Sequence, residues 1–513
     1  MLKNQLMNKR KNPIMNVNFQ RQIYLLLIFC FISLNCLSTY SDTIPPQHRV
    51  TLKEAHIGDR EIDTKLLDSY ELLPENIRQF YLQAREFFSG NSTADFNHPE
   101  ILKAATKNDV MLMGGPLLGN LEMNRVIIWM RPSTSLPIVV KVKEISDGDE
   151  KLFVEKSVVP GKELQFILDG LAPDSKYSYT IEINRKEVAE GSFKTAPNSD
   201  AEGEFKLAFG SCFHKIGLHN PNLINQILSR EPIAMMLLGD IAVDDRENQI
   251  NMHRSDYQLR DVSKAWKNLA ANVPLYTSWD DHDYFNNDLS GVPKGFIEAD
   301  REAVRKVWQQ NWNNPKNDQE GIYFNTQIGP VEIIMLDTRS LRQNNNRGKY
   351  GAYLGADQLK WLKKILKNSD APFKVISSGT MWSDYITPGK DSWGTWDTLA
   401  REEMFSFIEA EKIAGVLLVS GDRHGARGFT IPRPSGFAFY EFEAASLGGV
   451  PGPDAMAKDT TYQLFGYHGN DEVAFGEFAF STAKPNLQVT FRLINQYGKI
   501  LEEHLITYDK LSP

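Results

Sequence analysis

The stretch Pro274-Leu275-Tyr276-Thr277-Ser278-Trp279-Asp280-Asp281-His282-Asp283 passes from a strand-like run into three carboxylates and an imidazole within four consecutive positions. Like charges that close repel one another in an apolar setting, and a bound cation is the simplest way to remove the cost. The device recurs downstream in Gly421-Asp422-Arg423-His424. Asp422 and His424, two residues apart, can both face one ion from an extended turn. Oxygen and nitrogen donors suit iron, manganese, zinc or calcium. Two such ions about 3.5 to 4 Å apart can bridge a water, lower its pKa and neutralise a phosphate.

Both motifs follow apolar runs. Strands are expected over 205–209, 234–238, 274–278, 331–336, 373–377 and 415–419, separated by segments long enough for crossover helices, an α/β pattern. Their C-terminal ends carry Cys212, Asp240, Asp280 with Asp281 and His282, Asp337, Thr380 with Trp382, and Asp422 with His424. Open α/β sheets bind ligands outside the carboxyl ends of strands, so six ends converging on one edge mark a candidate site. Cys212 reads either as a buried inert thiol or as a thiolate ligand. Trp382, Trp393 and Trp396 either line a pocket for an organic leaving group or pack a long loop.

Residues 437–503 return to strand periodicity and are expected to complete a sheet of the catalytic domain. Upstream, Ile62, Leu66, Leu67 and Tyr70, then Leu73, Ile77, Phe80, Tyr81, Ala84, Phe87 and Phe88, recur at helical spacing, with Pro74 suited to a first helical turn. These helices read as a brace. Between Pro116 and Pro197 the period changes to two, with Pro, Gly and Asp turns, which predicts a small immunoglobulin-like β-sandwich without a chemical site. The expected organisation is an export signal or membrane anchor over 1–41, a helical segment over 42–107, the accessory sandwich over 108–197 and a catalytic domain over 203–503.

At 513 residues the chain exceeds what one hydrophobic core usually holds. With 42% hydrophobic and 24% charged residues it fits neither disorder nor a multi-span membrane protein. A net charge of −8 without clustered Lys and Arg argues against a nucleic-acid surface. Lys3, Lys9, Arg10, Lys11 and Arg21 precede an apolar run over 23–34 and then Ser38, Thr39 and Ser41, the order of a secretory signal. That run is short of the roughly 20 residues of a membrane span. The expected location is therefore outside the cytoplasm: periplasmic, cell-surface or secreted. Membrane contact is confined to this segment, if it is retained or lipidated at Cys36. Cys30 and Cys36 lie in or beside it and Cys212 is the third cysteine, so no disulfide framework exists.

Gly210-Ser211-Cys212, Leu238-Gly239-Asp240, Trp279-Asp280-Asp281-His282-Asp283-Tyr284 with Asn286 and Asn287, Leu336-Asp337-Thr338-Arg339, Gly355 with Gln358 and Trp361-Leu362, and Ser420-Gly421-Asp422-Arg423-His424 together resemble the alkaline phosphatase D (PhoD-like) family. That family belongs to the calcineurin-like metallophosphoesterase superfamily. The resemblance implies a metallophosphoesterase-like β-sandwich flanked by helices and preceded by the small all-β domain. It implies hydrolysis of phosphomonoesters by a metal-bound hydroxide at a two-metal site. Asp240 would bridge the metals, with Cys212, Asp280, Asp281, Asp422 and His424 as ligands. His282 would contact or protonate the phosphoryl group, Asn286 or Asn287 would touch phosphate, and Arg339 and Arg423 would clamp the anion. Val243 stands where the family commonly carries an iron-binding tyrosine, so either Asp244 or Asp245 replaces it or the first site holds a different ion with fewer protein ligands, and the metals stay open among calcium, iron, manganese and zinc. The competing readings are a phosphodiesterase or phospholipase-type enzyme and an inactive cell-surface binding protein.

Overall fold

The apolar runs that precede the acidic motifs form the inner strands of two facing sheets. The computed structural model describes residues 43–146, 148, 150–316 and 319–513; the expected export signal, with Cys30 and Cys36, lies outside them. The first sheet has the order Leu275–Ser278, Ala234–Leu238, Glu204–Gly210, Ala474–Ser481, Gln488–Asn495, Ile500–Thr507. Its first three strands run parallel and the rest pair antiparallel. The second has the order Phe324–Ile328, Val331–Met335, Phe373–Ser377, Val416–Ser420, Ala438–Ala444, Gly425–Pro432, Gln463–His468, with a parallel centre.

The six expected strands all form, three in each sheet, so they do not share the single open sheet edge that the sequence suggested. The reason is visible in their burial. Ala234–Leu238, Val331–Met335 and Val416–Ser420 are buried at every position. One face of each meets the opposite sheet and the other meets helices. Phe209, Met236, Ile333, Val375, Phe442, Phe478 and Phe491 share the core between the sheets, and Phe442 stacks on Phe491 at 4.1 Å. On the outer face of the first sheet, Met235, Leu237 and Leu275 pack with Leu223, Leu259 and Leu269 from helices Pro221–Ser229, Ile250–Val262 and Lys264–Asn272. On the second, Ile334, Ile376 and Leu418 pack with helices Gly355–Asn368 and Trp393–Ala410. Residues 437–503 contribute strands to both sheets rather than finishing one.

The segment 112–194 forms two small antiparallel sheets, of three and four strands. Ahead of it come helices Leu52–Ile57, Arg60–Leu67, Glu75–Gly90 and Pro99–Lys107, whose apolar residues Leu66, Phe80, Phe88 and Ile101 join the core outside the first sheet. Pro74 caps the third of these one position before its first turn. Everything from Ile44 to Pro513 forms one unit. Among the described residues no helix is long and apolar enough to cross a membrane.

Candidate metal centre

The ends of strands Glu204–Gly210, Ala234–Leu238, Leu275–Ser278 and Val416–Ser420 lead directly into the acidic and imidazole side chains. Gly239 has a φ of +98°, and a Cβ there would fall 2.4 Å from the Asp280 Cβ; glycine lets these two strand ends approach. Cys212, His214, Asp240, Asp245, Asp422 and His424 all hold positive φ between 38° and 73°. Such backbone costs of order 1–3 kcal/mol per residue and clusters where side chains must be aimed.

Cys212, His214, Asp240 and His424 each present one donor atom within 4.8 Å of the others. Cys212 Sγ lies 3.6 Å from Asp240 Oδ2. His214 Nδ1 donates to Asp244 Oδ1 at 2.9 Å, and His424 Nδ1 donates to the Pro451 carbonyl at 2.8 Å. A carboxylate and a carbonyl only accept, so each ring spends its Nδ1–H outward and turns its Nε2 inward. Burial, reinforced by His214, pushes His424 down to about 3. Burial likewise pushes the Cys212 thiol up, with Asp240 adding to it.

Asp240, Asp281 and His282 form an adjoining group, and Asp280, Asp281 and Asp422 a third. His282 Nδ1 donates to Asp245 Oδ1 at 2.7 Å, which turns its Nε2 away from that carboxylate. Asp281 accepts the backbone N–H of His282 at 3.0 Å and of Asp288 at 2.7 Å. Asp283 accepts from the N–H groups of Ile241, Ala242 and Val243, pinning the loop behind Asp240. Burial pushes Asp240 and Asp422 well above the usual carboxylate range and Asp280 to about 6. Against burial, Arg339 and His282 hold Asp281 below it. Asp240 Oδ1 is buried without a hydrogen-bond partner. Asp422 Oδ2 has only an ion-pair contact with Arg423 Nε at 3.0 Å and no aligned hydrogen bond. Crowded carboxylates pushed toward neutrality, an orphan oxygen and two inward imidazoles are a donor set that fits cations.

The expected site residues separate into three groups. Cys212, Asp240, Asp280, Asp281, His282, Asp422 and His424 come together, with His424 beside Cys212 and Asp422 beside Asp280 and Asp281. Arg339 corrects the expectation of an anion clamp: it is fully buried and committed to Asp280, at 2.9 Å from Oδ2, and to Asp391 at 2.8 Å. It orders carboxylates instead of facing a ligand. Arg423 is half-buried at the rim beside Asp422. Asn286 is half-buried and its side-chain oxygen accepts from the Asn287 N–H, whereas Asn287 is exposed and its amide donates to Asp288. Asp337 accepts from Trp279 Nε1 at 2.9 Å and from backbone N–H groups, a structural role. Trp382, Trp393 and Trp396 are buried and pack in the core outside the second sheet.

Val243 is fully buried in the apolar cluster with Ile241 and Ala242. His214 joins the first donor group, and the spacing Cys212-Phe213-His214, the same as Asp422 to His424, is the signal that could have found it. Asp244 and Asp245, expected as replacement ligands, hold His214 and His282 by their Nδ1 atoms. Asp391, paired with Arg339 and Arg342, and His56, which contacts Asp245, carried no local sequence signal.

The PhoD-like phosphatase family matches residues 239–491. Alkaline phosphatase D of Bacillus subtilis (strain 168) is 22% identical over 385 residues, which are 61% of this chain and 64% of that protein, so the chain spans just under two thirds of that relative's length. The solved structure of PhoD superimposes with a TM-score of 0.60 at 19% identity, over 77% of this chain and 88% of that one. Purple acid phosphatase from yellow lupin (Lupinus luteus) seeds gives a TM-score of 0.56 at 14% identity, over 77% and 75%. At these identities the two structures speak to the fold, a metallophosphoesterase-like pair of sheets. With the acidic motifs after Leu238 and Ser420 inside the matched span, residues 239–491 carry a PhoD-like phosphatase domain.

Proposed function

We propose that the protein is a metal-dependent phosphoric ester hydrolase that acts on phosphomonoesters. The observation that carries this reading is the convergence of Cys212, His214, Asp240, Asp281, His282, Asp422 and His424 at adjoining strand ends, with Asp240 common to two donor groups. Cys212, His214, Asp240 and His424 would hold a zinc or iron ion, since thiolate and imidazole suit both. Asp240, Asp280, Asp281 and Asp422 would hold an oxygen-seeking ion such as calcium or manganese. Bound ions supply Lewis acidity and neutralise the charge of a phosphoryl group.

The chain's own groups supply orientation and a proton. His282 keeps Nδ1 on Asp245, so Nε2 is the atom that can reach the ester oxygen. Burial opposes a proton there, but Asp281, Asp240 and Asp245 push His282 well above its ordinary value, which suits a group that protonates the departing alkoxide. Arg423 stands beside Asp422 as a cation for the anionic substrate, and Asn286, in the loop after His282, would offer an amide. The charged-then-apolar order of residues 1–41 supports export.

The test is elemental analysis of the chain purified from residue 42 onward without added metal, with hydrolysis of 4-nitrophenyl phosphate and bis(4-nitrophenyl) phosphate measured on the same sample. The expected result is about two ions per chain and monoester cleavage that disappears on chelation and in Asp240→Asn. Protein that stays inactive after manganese, calcium, zinc and iron are supplied overturns the reading, and faster diester cleavage transfers it to a phosphodiesterase.

A further inference from the structure

His56 sits on the short helix Leu52–Ile57, far upstream of the acidic motifs and outside the span the family matches. Its ring lies 4.6 Å from that of His282 and 5.8 Å from that of His214. Its Nδ1 is 3.3 Å from Asp245 Oδ2, and its Nε2 is 3.9 Å from Asp244 Oδ1. Those carboxylates are the ones that hold the site histidines: Asp245 through its other oxygen takes His282 Nδ1, and Asp244 takes His214 Nδ1. One imidazole therefore spans two consecutive carboxylates, each of which orients a different ring of the centre.

The placement of His56 is built into the fold. Thr51 and Glu54 close a capping box at the start of its helix, and Gly58 ends it in the left-handed region at φ +55°. The Gly58 carbonyl accepts from Arg85 Nη2 at 2.7 Å, and Arg246 Nη1 reaches the Ile57 carbonyl at 3.5 Å. Arg246 and Lys215 are buried and both pair with Asp256, at 2.7 and 3.4 Å. The carbonyl end of the helix is thus seated on buried cations, the favourable polarity for a helix C-terminus.

Resting on the hydrolase reading above, we propose that His56 is a positioning residue for the reaction: it braces Asp245, and through it the ring of His282, so that the N-terminal helical segment is part of the active site. It acts through the Asp245 carboxylate, which its Nδ1 faces at 3.3 Å.

The full chain is compared with His56→Ala, His56→Asn and, as a control for the reaction, Asp240→Asn. The amide nitrogen of asparagine can stand near the place of Nδ1, so His56→Asn restores the contact to Asp245 without restoring an imidazole. With 4-nitrophenyl phosphate, His56→Ala is expected to lower kcat by about 10- to 100-fold, the usual cost of losing a group that orients a site residue. KM should stay within about threefold, because substrate binding is not what is lost. Bound metal and the thermal midpoint should match the parent, and His56→Asn should recover most of kcat. A kcat in His56→Ala within about twofold of the parent, or a His56→Asn no better than His56→Ala, overturns the proposal. If the parent hydrolyses no ester, the hydrolase reading fails separately, and the downfield proton signal of His282 Nδ1–H decides instead. Its loss in His56→Ala with retention in His56→Asn upholds the brace; an unchanged signal in both refutes it.

Discussion

The Nε2 atoms of His214 and His424 face each other across 3.2 Å, while their Nδ1 hydrogens are donated outward to Asp244 and to the Pro451 carbonyl. Two lone pairs this close repel unless a proton or a cation lies between them. A cation shared with Cys212 and Asp240 would relieve that repulsion. His214→Ala and His424→Ala are therefore each expected to lower bound metal by about one ion per chain after desalting, with Cys212→Ser weakening the same ion. Elemental analysis checks this, and full loading of both histidine variants would exclude the pair as ligands.

Arg339 is the cation that permits Asp280, Asp281, Asp391 and Asp422 to share so small a volume: it lies 3.7 Å from Asp281 and 3.5 Å from Asp422 besides its closer partners. Removing one partner of a buried ion pair leaves uncompensated charge, at a cost of about 3–5 kcal/mol. Arg339→Met should lower the urea midpoint accordingly. Arg339→Lys should recover only part, because a single ammonium cannot reproduce the paired contacts to Asp280. A parent-like midpoint for Arg339→Met would show that the carboxylates are already neutral in the fold.

Gly58→Ala probes the seat of the first helix. A Cβ there would lie 2.2 Å from Arg246 Nη2 and 2.7 Å from Lys215 Nζ, at a φ that alanine resists. Loss of stability above about 1 kcal/mol is expected. Because the displaced helix carries His56, kcat should fall in the same direction as in His56→Ala. Denaturant titration and steady-state kinetics measure the two effects, and unchanged kcat with reduced stability would separate the helix seat from the chemistry.

The parts of this molecule that were legible in sequence are those written locally. Ala234–Leu238 and Val416–Ser420 announce themselves as buried strands, and the carboxylates after them can be read as a metal-type cluster. Their division between two facing sheets came only from the family resemblance, because a strand buried on both faces has the same pattern whether a helix or a sheet covers it. Arg339 was legible as a cation at a strand end but not as the partner of Asp391, since that contact is made by tertiary folding. His56 was invisible for the same reason: nothing local in Leu52–Ile57 marks it, and its placement depends on Gly58 meeting Arg246 and Lys215. His214 stood in plain sight, two residues after Cys212.

Away from the centre, two buried histidines set a pH dependence of stability. Burial pushes His253 down to about 4 and His219 down to about 3. Both are neutral in the fold, whereas in the unfolded chain each titrates near about 6.5. Unfolding therefore takes up protons below that value, so stability is greatest above it and falls as the pH drops. The loss is about 1.4 kcal/mol per pH unit for each histidine and continues to the folded pKa of each. His253 Nε2 donates to the Glu247 carbonyl at 2.8 Å, a bond that the amide of His253→Gln can keep while removing the titration. Urea unfolding between about pH 7 and about pH 4.5 should show a slope about one proton smaller in His253→Gln than in the parent. Equal slopes would mean that the imidazole is already protonated in the fold and that its burial does not govern the acid sensitivity.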